Sequence, residues 1–75
     1  MFSERLKELR EFTNPRLTQT EVGLQTGMSQ QKISRLETGV VNPTPNEIVI
    51  FCRFYKESAD YLLGLTDVYK EIPEK

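Results

Sequence analysis

The sequence predicts an all-α fold of five helices. Apolar residues recur at helical spacing, and no strand-like alternation persists. Several segments open with helix N-cap chemistry, and glycines stand where those helices would stop. No internal repeat or low-complexity stretch is visible.

Phe2, Leu6 and Leu9 fall at i, i+4 and i+7, which predicts helix one over about 3–11. Asn14-Pro15 interrupts the pattern, because proline pushes the preceding residue out of the α region. Thr18-Gln19-Thr20-Glu21 reads as a capping box, in which the Thr18 hydroxyl accepts the Glu21 N–H and Glu21 reaches back to Thr18. Leu17 and Val22 flank it as a hydrophobic staple. Helix two then runs over about 18–26 and stops at Gly27, which takes a positive φ cheaply. Ser29 caps helix three, about 29–38, with Met28 and Ile33 as its staple and Gly39 as its end. Thr44-Pro45-Asn46-Glu47 opens helix four: a cap, proline first and glutamate third. The apolar face of helix four is Ile48, Val49, Phe51, Cys52 and Tyr55. Ser58-Ala59-Asp60 starts a short helix five with Leu62 and Leu63, closed by Gly64. Residues 66–75 form a polar, weakly patterned tail.

Composition removes several function classes. Seventy-five residues make one domain with a small core that oligomerisation would help. With no His and only Cys52, a Cys/His zinc site, a Ser-His-Asp triad and a Cys-His dyad cannot be built. One cysteine forms no internal disulfide, which favours a reducing, intracellular setting. Cys52 sits on the apolar face of helix four and reads as core rather than as a reactive thiol. No run of about 18 apolar residues exists, and Met1-Phe2-Ser3-Glu4-Arg5 is no signal peptide. Close carboxylates such as Glu8 and Glu11 read as helix surface, so no enzyme and no cofactor are expected. The formal net charge of −1 gives no global hint of nucleic acid. It is unevenly spread, however. Arg16, Lys32 and Arg35 outnumber Glu21 in the middle of the chain, and acids dominate after residue 56.

The connection between helices two and three is the tightest in the chain. A turn of three or four residues containing glycine is a helix-turn-helix signature, although an ordinary αα-hairpin has the same outline. Gly23 in mid-helix costs about 1 kcal/mol against alanine. Close approach of another helix would justify it. On helix three, Ile33 and Leu36 point inward. Gln31, Ser34, Arg35 and Thr38 point away, with Gln30 and Lys32 on the flanks. This outer face has amides, hydroxyls and cations but no acid. Amides pair with adenine N6/N7 and arginine with guanine O6/N7 in a major groove. An ordinary solvated face is the plain alternative. Glu37 stands in the last turn, where the helix dipole disfavours an anion. Arg10 is the candidate partner, and an exposed, tolerated glutamate the alternative.

These residues resemble a known family. Leu17-Thr18-Gln19, Val22-Gly23, Gly27 through Gly39, Asn42-Pro43-Thr44 and Asp60 through Asp67 are similar to the lambda-repressor-like helix-turn-helix (Cro/phage-repressor, or xenobiotic-response-element type). The resemblance spans about residues 4–67. It implies a five-helix DNA-binding domain over 1–67, acting as a homodimer on a palindromic operator. Thr18 and Gln19 would then lie at a phosphate, with Gln19 bracing the recognition helix. Gln30, Gln31, Ser34 and Arg35 would face bases, and Ser29 and Lys32 would lie near the backbone. Arg10 and Glu37 match the family's structural ion pair. Some positions depart from its pattern. The helix-one to helix-two connection is about two residues longer. Val40-Val41 replace the usual Lys or Arg, and Ile50 and Phe54 replace Lys and Ala. Read as exposed apolar residues, these last suggest that Phe54 forms a dimer seam with Val68, Tyr69 and Ile72 of the 68–75 tail.

The expected function is sequence-specific DNA-binding transcriptional regulation, with repression by occupying a promoter. Helix three would enter the major groove, and a dimer would place two such helices one turn apart. An antitoxin-like or adaptor module, binding a protein through Ile50, Phe54 and the tail, is the alternative on the same fold. The expected setting is cytoplasmic, of bacterial or phage type, without metal, membrane or small-molecule domain.

Overall fold

Four of the five helices among the described residues start on a side-chain oxygen. In the computed structural model, which describes residues 1–65, the elements are α1 (Phe2–Glu11), α2 (Gln19–Thr26), α3 (Gln30–Thr38), α4 (Pro45–Tyr55) and α5 (Ala59–Leu62). No strand occurs among the described residues. The side chains of Thr18, Ser29, Thr44 and Ser58 each accept the backbone N–H three residues on, at 3.1 Å. Thr18 and Thr44 complete the capping box: their own N–H groups donate to Glu21 Oε1 at 2.8 Å and Glu47 Oε1 at 2.9 Å. Each cap stands one residue outside its helix, so α2 and α3 begin at 19 and 30. α1 begins one residue before the expected 3.

Helix ends follow two different routes. Gly27 (φ +76°) closes α2 and Gly39 (φ +79°) closes α3. α4 ends on Lys56, left-handed at φ 54°, ψ 48° without being glycine. That conformation costs roughly 1–2 kcal/mol for an L-residue. Nothing local in the sequence announces it. Between α1 and α2 the Asn14–Pro15 peptide is cis. Thr13 Oγ1 donates to the Arg10 carbonyl at 2.8 Å and accepts the Leu17 N–H at 2.8 Å, which folds this longer connection back on itself.

The core takes apolar side chains from all five helices. Leu6 and Leu9 (α1), Val22 (α2), Ile33 and Leu36 (α3), Phe51 and Cys52 (α4) and Leu62 (α5) are buried together. The Phe51 ring meets Phe2 edge-on and stacks with Tyr55, both at 6.3 Å. Burial pushes the Cys52 thiol up from its ordinary range, with the charge of Glu57 adding to it. The thiol is therefore a neutral packing group.

Three expectations are corrected here. The expected apolar face of α4 includes Val49, which is exposed. A helical face one residue too wide admits such a position, because only the packed neighbour decides where the face ends. Phe54 is half-buried against the core, its ring 4.9 Å from Tyr55, so it is not an isolated exposed residue. Ile50 is likewise half-buried. Val68, Tyr69 and Ile72, the other part of the expected seam, lie outside the described residues. Arg5 was not singled out. It is buried on α1, donating Nη1 to the Tyr61 carbonyl at 2.7 Å and lying 4.3 Å over the Tyr61 ring. It shares a helical face with Phe2 and Leu9, at i+3 and i−4, and that was the signal.

Candidate nucleic-acid interface

The site begins with a close approach of backbone. A Cβ on Gly23 would stand 2.6 Å from the Met28 carbonyl oxygen and 3.4 Å from the Gln30 nitrogen. The Gly23 carbonyl in turn accepts the Met28 N–H at 2.9 Å. Gly23 is thus required by the turn leading into α3, rather than by the body of another helix. Gly27 has open space around it and serves only the left-handed backbone that turns the chain. Three residues, Gly27, Met28 and Ser29, separate α2 from α3.

A chain of polar contacts then fixes α3 against α1 and α2. Arg10 Nε donates to Glu37 Oε2 at 2.8 Å, and Arg10 Nη2 to Glu37 Oε1 at 3.0 Å. Arg10 Nη1 reaches the Leu17 carbonyl at 3.0 Å. Gln19 Nε2 donates to Glu37 Oε1 at 3.1 Å, and Gln30 Nε2 donates to Gln19 Oε1 at 2.7 Å. Only 2% of the Glu37 side chain is exposed. Its charge is matched by a bidentate guanidinium, the arrangement that offsets desolvation best. The Glu37 hydrogen bond holds the Arg10 pKa above its usual value, against the opposing effect of burial. Nearby, the Tyr55 hydroxyl is buried without a hydrogen-bond partner among the described residues. Burial first, then the charge of Glu37, raise its pKa well above the usual range, with Arg10 opposing.

The outer face of α3 carries Gln30, Gln31 and Arg35 exposed, with Ser34 half-buried. Thr18 and Ser29, the two helix caps, are exposed beside it, and Gln19 is half-buried. Helix geometry leaves first-turn N–H groups of α2 without intrahelical partners, a setting that attracts anions. The structure therefore brings Gln19 and Gln30 together directly. Lys32 behaves differently: its Nζ lies 3.2 Å from Glu47 Oε2 on α4. The residues are fifteen apart in sequence, so no local pattern could have paired them. On the α1 side, Glu4, Lys7, Glu8 and Glu11 line an open groove with Gln19 and Thr38, in which acids outnumber the single lysine.

The helix-turn-helix domain family matches residues 2–65. The chain belongs to this family. An uncharacterised HTH-type transcriptional regulator, YobD, of Bacillus subtilis (strain 168) is 33% identical over 67 residues, 89% of this chain. The chain spans 58% of that relative's length. The crystal structure of the P22 c2 repressor protein in complex with synthetic operator 9T in the presence of Tl+ superposes with a TM-score of 0.74. The match covers 83% of this chain and 91% of that one at 24% identity, which shows a shared fold. This is thus a transcription-regulator-like helix-turn-helix domain on a five-helix, lambda-repressor-like fold. The family is a helix-turn-helix one, and the curated relative is described as a transcriptional regulator. Among the described residues no helix is long and apolar enough to cross a membrane.

Proposed function

We propose that this domain binds double-stranded DNA in a sequence-specific way, as a cytoplasmic transcriptional repressor without catalytic activity. One observation carries the reading most: α3 presents exposed Gln31 and Arg35 on a face held in place by the Arg10–Glu37–Gln19–Gln30 chain. Reading base edges requires side chains whose origin is fixed against the phosphates. A helix pinned through its own buried glutamate meets that need. In this reading α3 enters the major groove, with Gln30, Gln31, Ser34 and Arg35 facing bases. Thr18, Gln19, Ser29 and Lys32 lie toward the backbone. Two copies form a dimer on a palindromic operator. The superposed P22 c2 repressor is bound to a synthetic operator, which supports duplex DNA as the partner class.

Selection of bound duplexes from a random pool supplies the test sequence and shows whether the preferred site is palindromic. Gln31→Ala and Arg35→Ala should then each weaken binding to that duplex by about 1–3 kcal/mol while changing random-duplex binding little. Equal losses on both DNAs would sink the base-reading assignment. The exposed Val40 and the acidic groove along α1 favour a second reading, an adaptor or antitoxin-like module that binds a protein. Absence of any duplex binding at micromolar protein and low salt would decide for it.

A further inference from the structure

Glu47 performs two tasks with two oxygens. Oε1 accepts the Thr44 N–H at 2.9 Å and completes the capping box that starts α4. Oε2 faces the Lys32 ammonium at 3.2 Å. The carboxylate is anchored by the fold, with 16% of its side chain exposed; the Lys32 side chain is 36% exposed and ends a flexible four-carbon stem. One partner is fixed and the other can leave.

Lys32 is the third residue of α3, and with Arg35 it supplies both of that helix's cations. We propose that Glu47 holds the Lys32 ammonium back from DNA phosphates and so limits the backbone affinity of the domain. The inference rests on the DNA-binding reading above. An ammonium that moves from Glu47 to a phosphate exchanges one anion for another and leaves a carboxylate behind. An ammonium beside a neutral side chain makes the same phosphate contact without that loss, and it releases a condensed counterion. Glu47 therefore shifts the balance of recognition away from charge and toward base contacts, although it touches neither.

Glu47→Gln separates its two tasks. The amide keeps an oxygen for the Thr44 N–H, so the α4 cap survives, and the charge facing Lys32 is gone. Binding to the selected duplex and to a random duplex is measured for the unaltered chain, Glu47→Gln, Lys32→Gln and the double variant, from about 50 to about 300 mM salt. Glu47→Gln should raise random-duplex affinity about three- to tenfold at the low end and steepen the log–log salt slope by about 0.9. The double variant should show neither change relative to Lys32→Gln. Neutralising any acid raises affinity somewhat through the overall field. A gain that persists in the Lys32→Gln background therefore overturns the proposal, as does an unchanged slope. Thermal unfolding followed by circular dichroism confirms that each variant is folded. Should Glu47→Gln fail that check, Lys32→Gln alone decides: a withheld ammonium predicts less than about a twofold loss of random-duplex affinity, and a slope shallower by about 0.9 overturns it. If the unaltered chain binds no duplex, the DNA-binding reading falls and this inference with it. If it binds and Glu47→Gln behaves like it, only this inference fails.

Discussion

Among the described residues two ion pairs tie α3 to its neighbours, and they are built on opposite principles. On one side, Arg10 grips both oxygens of Glu37, whose side chain is almost wholly buried. On the other, Lys32 meets one oxygen of Glu47 at a partly solvated site. Arginine's planar fork suits a fixed, desolvated carboxylate, and lysine's mobile point charge suits an exchangeable contact. Breaking a buried pair strands a charge in a poor solvent, whereas breaking an exposed one returns both partners to water. The same helix is thus welded on one flank and only tethered on the other. The welded flank also carries Gln19 and Gln30, and so governs where α3 stands.

The largest test of that contrast is Arg10→Met. It leaves Glu37 buried without its main counter-charge and should cost about 3–5 kcal/mol, read as a lower urea midpoint at unchanged m-value. A loss below about 1 kcal/mol would mean that the pair is not structural. Gly23→Ala comes next, because its Cβ meets a backbone carbonyl at 2.6 Å that has no flexible end to move. A cost of about 1–3 kcal/mol is expected, together with weaker duplex binding as α3 tilts against Gln19. Arg10→Lys should sit lower, near 1–2 kcal/mol, since one hydrogen bond replaces a bidentate grip and the Leu17 carbonyl loses its donor. If it cost as much as Arg10→Met, charge alone would not explain the flank.

The tethered flank should respond least. Lys32→Gln is expected to change stability by less than about 1 kcal/mol, since the pair is partly solvated. Acid provides a finer probe of its partner. Burial alone would raise the Glu47 pKa, but the Thr44 N–H and the Lys32 ammonium together hold it below its ordinary 4.5. A carboxylate whose folded pKa is depressed stabilises the fold above its unfolded pKa, and that stability is lost as pH falls through the folded value. Glu47→Gln should therefore differ most from the unaltered chain near neutral pH and converge on it as pH falls through the depressed Glu47 pKa, below its ordinary 4.5. Parallel stability curves from pH 7 to pH 3 would show that Glu47 gains nothing from these contacts.

Much of the fold was legible because it is written locally. Thr18, Ser29 and Thr44 each announce a helix through a bond to the residue three positions on, a geometry that needs no tertiary partner. Gly27 and Gly39 end helices for an equally local reason, the absence of a Cβ at positive φ. Glu37 was legible for an indirect one: an anion in a last turn is unfavourable alone and so points to a cation elsewhere. Lys56 was not legible, since a lysine in the left-handed region runs against the local steric preference of an L-residue. Neither was the role of Lys32, which looks the same on a helical wheel whether it meets water, phosphate or Glu47.

By itself the sequence determined which segments are helices, how α2 and α3 start and stop, and which side chains that pair offers to solvent. These properties depend on backbone sterics and bonds within a few residues. Only the tertiary structure decided that Gln19 clasps Gln30, that Arg5 is buried under Tyr61, and that Glu47 meets the Lys32 ammonium. Each joins residues at least eleven positions apart, through an approach that exists only once the five helices have closed on one core. Local chemistry sets the direction of a side chain, and packing alone sets what stands in front of it.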